Sequence, residues 1–226
     1  MKDNPDRKID FAHGKEPLRL LALSDGLFAT VLTLLVLDLR IPDALNASGG
    51  NMPAILQWIS QHLFSYLLTF VVAGTYWLAH HRAFDRVNQY DNGLLRYNLL
   101  FLLFIGLFPF STATISMASF NTSSYSFYWA IYAANNILAG IMLNITWNYA
   151  VRHRLVTPET TRRESLHITV RQIVTPAVFL ISIATNALFP QFFMGPLTLL
   201  MIPLAMRGVD IYFAEVKPKK PSHHKD

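Results

Sequence analysis

The chain of 226 residues contains no cysteine, and only 15% of it is Asp, Glu, Lys or Arg. The first absence rules out disulfides and thiolate metal sites. The second falls well below the roughly 25% charge of an ordinary soluble domain. Neither an H-E-x-x-H pair nor a G-x-S-x-G elbow occurs, so the chain offers no recognisable hydrolytic chemistry and is not expected to be an enzyme. No internal repeat and no linker separates parts of it, which leaves one domain.

What the chain does have is long apolar runs. Hydrophobic residues make up 52% of it and the mean hydropathy is +0.30, the signature of an integral membrane protein. A run of about 18 or more apolar residues crosses the hydrocarbon core as a helix. Six candidates stand out, roughly 18–41, 54–81, 94–117, 125–150, 168–188 and 191–208. The expected class is therefore an all-α polytopic membrane protein: a tail over 1–17, a six-helix domain over 18–208, and a polar, disordered tail over 209–226.

The basic residues test that count, because Lys and Arg gather in cytoplasmic loops. They fall in the N-terminal tail, in the second loop (Arg82, Arg86, Arg96), in the fourth (Arg152, Arg154, Arg162, Arg163, Arg171) and at the C-terminal end, while 42–53, 118–124 and 189–190 carry none. Six spans with both termini cytoplasmic preserve this alternation; five or seven would destroy it. The net charge of +5 is then a topology signal. Acidic lipid headgroups are the expected partners and nucleic acid is not. The charged N-terminal stretch runs into a full-length span without a small-residue cleavage site, so no cleavable signal peptide is expected.

Asp25 sits inside the first span, where a charge needs a protein partner or a water path. At 1.5 Å per residue it lies roughly 10 Å in from the cytoplasmic end. The second span ends with Trp77, His80 and His81 at a similar depth, so a network of Asp25 with Trp77, His80, His81, Ser24 and Arg19 is expected to staple the two helices. A titrating proton site is the competing reading. The adjacent histidines lie about 100° apart on a helix and do not suit one metal ion. On the same wheel Leu23, Leu27, Thr30, Leu34 and Leu37 cluster opposite Asp25. Elsewhere Asn136, Gly140, Asn144 and Asn148 recur every four residues, a pattern for close helix contact. Tyr125, Tyr128, Trp129, Trp147 and Tyr149 near span ends suit the membrane interface. Pro109 should bend the third span, with the freed carbonyl met by Ser111 or Thr112 of a neighbour.

These segments resemble a known family. Arg19-Leu20-Leu21-Ala22-Leu23-Ser24-Asp25 is similar to the R-x-x-x-F-S-D signature of the transmembrane protein 175 family, the lysosomal potassium channels and their bacterial relatives. Leu34–Leu39, Tyr76–Phe84 and Asn98–Thr112 resemble the ends of its first and second helices and its N-L-L…L-P-F-P-T segment. The resemblance implies a potassium-permeable cation channel without cofactor, K⁺ being the permeant ion, in which six-helix chains form a homotetramer and the first helices line a central pore. Thr30, Thr33, Leu34 and Leu37 would then face the axis. Thr30 replaces the family's bulky aliphatic residue and Leu23 its phenylalanine, so either the hydrophobic constriction lies at Leu34 or Leu37 or the pore is wetter. No T-V-G-Y-G-like filter occurs, which implies modest selectivity for K⁺ over Na⁺. The alternative is a proton-coupled transporter using Asp25 and His80 or His81, although the inverted repeats common in transporters are not visible. The expected location is a bacterial plasma membrane.

Overall fold

A computed structural model describes residues 18–39, 51–117, 123–189 and 194–215. The elements are α1 (Leu18–Leu34), continued by a 3₁₀ turn (Leu35–Leu39), α2 (Met52–Phe84), α3 (Asn92–Gly106), α4 (Phe108–Ser116), α5 (Ser123–Arg152), α6 (Arg162–Leu188), α7 (Met194–Thr198) and α8 (Met201–Glu215). Taken as spans, α1 with its 3₁₀ turn, α2, α3 with α4, α5, α6, and α7 with α8 make the six expected crossings. Among the described residues the only β pairing is an isolated bridge between Val87 and Val156.

Local chemistry sets the helix starts. Pro53 lies at the start of α2, where its missing N–H costs nothing. Asp91 caps α3 by accepting the Leu94 N–H at 2.7 Å, and Thr161 caps α6 by accepting the Glu164 N–H at 3.2 Å. The break between α3 and α4 falls at Leu107, two residues before Pro109. Ser111 and Thr112 do not serve the opened α3 end as expected, because both donate to the Phe108 carbonyl of their own helix. Asn135 of α5 fills the role, donating to the Phe104 carbonyl at 3.2 Å.

The main core gathers Phe28, Tyr76, Phe101, Ile105, Phe108, Trp129, Tyr132 and Phe179, and a smaller one gathers Leu20, Phe84, Leu94, Trp147 and Leu155. Leu67, Val71, Leu103, Phe110, Leu180 and Leu204 point outward; this apolar exterior is what a bilayer covers. Five helical stretches among the described residues are long and apolar enough to cross a membrane. α5 falls outside that set although its 30 residues span about 45 Å. It packs along α3, α4 and α6. Tyr125, Trp129 and Trp147, expected at the membrane interface, are instead buried within the bundle.

α5 meets α6 closely. A Cβ on Gly140 would stand 2.8 Å from Pro176 Cδ and Cγ, so only glycine lets the backbones approach this far. Asn144 Nδ2 donates across the same contact to the Thr169 carbonyl at 3.0 Å.

The second and fourth loops, placed on one side by their arginines, touch. Besides the Val87–Val156 bridge, Thr157 N–H donates to the Arg86 carbonyl at 2.8 Å and Arg86 pairs with Glu164 at 2.6 Å. The last helix runs past 208, where the tail was expected to begin, as far as Glu215. Within this last stretch Asp210 is held by Arg171 and His167 of α6. The tails 1–17 and 216–226 lie outside the described residues.

Candidate functional site

α1 has two faces of different character. Leu20, Ser24, Phe28, Val31 and Leu35, spaced at three and four residues, are buried against the rest of the chain. Leu23, Thr30, Thr33, Leu34 and Leu37 lie on exposed positions, Leu34 at 43% and Leu37 at 67%. An apolar face with two hydroxyl residues is thus left open by the chain's own fold. The Thr30 hydroxyl donates to the Gly26 carbonyl at 2.8 Å and that of Thr33 to the Thr30 carbonyl at 2.7 Å, which satisfies the donors and leaves oxygen lone pairs free to face outward. The change to 3₁₀ geometry after Leu34 brings Leu37 directly above it, since residues three apart eclipse in that helix.

Two carboxylates fix which face turns inward. Trp77 Nε1 donates to Asp25 Oδ1 at 2.9 Å, tying the first half of α1 to α2. At the other end Ser116 Oγ donates to Asp38 Oδ2 at 3.0 Å, and Gln61 Nε2 donates to the Ser116 carbonyl at 2.9 Å. The 3₁₀ turn is thereby bound to α4 and through it to α2.

The remaining residues of the expected network divide. His80 Nε2 donates to Asn98 Oδ1 at 2.9 Å, and Asn98 Nδ2 donates to Ser24 Oγ at 3.1 Å. The His80 ring stacks on Phe84 with centroids 4.1 Å apart and on Phe101 at 5.4 Å. His81 turns away from Asp25: it stacks on Trp77 and stands 3.9 Å from Asp85. Arg19 is exposed on the first turn. One expected network is therefore two, Asp25 with Trp77 and Ser24 with Asn98 and His80. Asn98 was missed as a partner. Its sequence signal was a lone amide between apolar residues of the third span, three and four residues before Phe101 and Leu102 on the buried face.

On the side of the basic loops, α8 is clasped to α6: Asp210 takes Arg171 and, at 2.9 Å, His167 Nε2, while Arg163 donates to the Phe213 carbonyl. No cluster able to hold a metal ion is found among the described residues.

Comparison with known proteins gives a consistent picture. Residues 19–109, from α1 into the first turn of α4, match the family model described as endosomal/lysosomal potassium channel TMEM175. A potassium channel of Chryseobacterium sp. (strain P1-3) is 28% identical over 177 residues, 78% of this chain and 86% of that one. The human endosomal/lysosomal proton channel TMEM175 is 26% identical over 200 residues, 83% of this chain but only 40% of the human protein. The crystal structure of a lysosomal potassium-selective channel TMEM175 homologue from Chamaesiphon minutus superposes with a TM-score of 0.69 at 26% identity, covering 84% of this chain and 96% of that one.

Proposed function

This chain belongs to the transmembrane protein 175 family of ion channels, and from that premise we propose that it is a potassium-permeable cation channel with modest preference for K⁺ over Na⁺. Four copies assemble around an axis lined by α1, in a bacterial plasma membrane with both termini cytoplasmic. The observation that carries this reading is the open α1 face, with Thr30, Thr33, Leu34 and Leu37 exposed while the opposite face is locked by Asp25 and Asp38. In a ring of four, threonine oxygens replace part of an ion's hydration shell, and the leucines form a constriction that gates by dewetting. With no carbonyl cage, discrimination between K⁺ and Na⁺ stays modest.

A proton-coupled transporter would need Asp25, His80 and His81 to exchange protons. Their hydrogen-bonding and ionic partners are Trp77, Asn98 and Asp85 respectively, an arrangement that favours a staple over a relay.

The test is K⁺ flux into liposomes holding purified protein at fixed incorporation, with oligomer mass measured alongside. Passive flux without a proton gradient, raised by Leu34→Ala, is expected, with Asp25→Asn losing flux only as the oligomer falls apart. Flux that requires a proton gradient and vanishes in an intact Asp25→Asn oligomer would overturn the pore reading.

A further inference from the structure

At the arginine-rich end of α5 a cavity of about 440 Å³ opens between α3 and α5. Its polar lining is Tyr97, Asn144, Asn148, Tyr149, Arg152 and His153. No carboxylate is among the lining groups. Tyr149 stacks on His153 with centroids 4.0 Å apart and packs on Tyr97 at 5.0 Å, so the imidazole is held in place beside the Arg152 position. Arg96 of α3 stands near Tyr149. The Asp91 carboxylate close by is engaged by the Tyr149 hydroxyl and the Leu94 N–H, at 2.9 and 2.7 Å.

The wall above the cavity is apolar. Ile141 and Ile145 share a face of α5 with Asn148 and Arg152, at helical spacing, and are 41% and 37% exposed. A polar pocket rich in donors at the end of a span, continuous with a greasy track running toward the bilayer centre, has the polarity profile of a phospholipid.

We propose that this cavity binds the phosphate headgroup of an anionic phospholipid, with an acyl chain laid along Ile145 and Ile141. Arg152 supplies the fixed charge, and Tyr97 and His153 supply further donors to the phosphate oxygens, while the Asn148 amide is held by Asn144 at 2.8 and 2.9 Å. A zwitterionic headgroup gains less, because no lining carboxylate meets its ammonium group. The cavity of about 480 Å³ between α2, α6 and α8 makes a useful contrast: its arginines, Arg82, Arg86 and Arg171, are matched by Asp85, Glu164 and Asp210, so it has no surplus charge to offer an anion. The inference rests on the membrane orientation proposed above, which puts the Arg152 end in the leaflet facing the cytoplasm.

Native mass spectrometry of the intact oligomer in detergent, with phosphatidylglycerol and phosphatidylcholine added in turn, reads retained lipid directly. Wild type should retain phosphatidylglycerol preferentially. Arg152→Gln should weaken that retention about fivefold, the factor for one basic residue at a headgroup, whereas Arg162→Gln, an exposed charge elsewhere, should not. Ile145→Trp, which fills the cavity without altering charge, should weaken it as well. Equal retention of the two lipids, equal loss in Arg152→Gln and Arg162→Gln, or displacement by millimolar inorganic phosphate as effective as by lipid would overturn the proposal. A wild-type protein that conducts K⁺ but shows no lipid preference counts against this site alone; a wild-type protein that prefers phosphatidylglycerol but does not conduct counts against the channel reading alone.

Discussion

Trp77 of α2 donates its indole N–H to the Asp25 carboxylate of α1 at 2.9 Å, and this bond sets the rotation of the helix proposed to line the pore. Trp77→Phe keeps most of the ring and removes the donor. It should lower stability by about 1–3 kcal/mol, the cost of a sheltered carboxylate left without its partner. Thermal unfolding in detergent measures this, and the double variant Asp25→Asn/Trp77→Phe should lose less than the two single losses combined. Additive losses would mean that the pair does not act as a unit.

The amide of Asn98 serves two partners at once, His80 and Ser24. Asn98→Leu strands both in a buried setting, so it should destabilise more than Ser24→Ala, which removes only one hydrogen bond. Chemical or thermal denaturation of the two variants checks the order. A Ser24→Ala protein weaker than Asn98→Leu would contradict it.

Gly140 faces Pro176 with no room for a methyl group. Because a proline ring yields little, Gly140→Ala should cost about 1–3 kcal/mol of overpacking. Gly26, where a Cβ would meet nothing within 4 Å, is the control: in detergent-solubilised monomer Gly26→Ala should leave the melting temperature close to wild type. Equal melting temperatures for the two variants would remove the argument for a tight α5–α6 seam.

Asp210 holds α8 to α6 through Arg171 and His167. Asp210→Asn should release that helix without disturbing α1. Hydrogen exchange would show amides of 201–215 exchanging several-fold faster while those of 18–34 keep their protection. Unchanged exchange in α8 would assign its docking to apolar contacts alone.

Much of this architecture was legible in the sequence because bilayer thickness and loop charge act on stretches of chain, where single side chains matter little. The six long helical stretches follow from run length, whereas the contact between the two basic loops, expected only to share a side, comes from the fold. Partner choice was less accessible. Depth alone puts Asp25, His80 and His81 at one level, but the rotation of α2 sends His80 to Asn98 and His81 toward Asp85. Asn135 escaped notice because the carbonyl it serves loses its regular helical donor only where α3 and α4 break apart. The last helix was cut short at 208 because the apolar run ends there, while the helix continues to Glu215 with Asp210 held by α6.

α5 carries a consequence for how the protein is made. Tyr132, Asn135, Asn144, Trp129 and Trp147 find partners on α2, α3, α4 and α6, so alone in lipid the helix would face hydrocarbon with several unmet amide, indole and hydroxyl groups. Such a segment partitions poorly as it leaves the ribosome. Its insertion is expected to depend on the neighbouring helices that meet those groups. Biogenesis of this protein is therefore set by its least greasy crossing, and slowing synthesis between Arg152 and Arg162 would be felt there first.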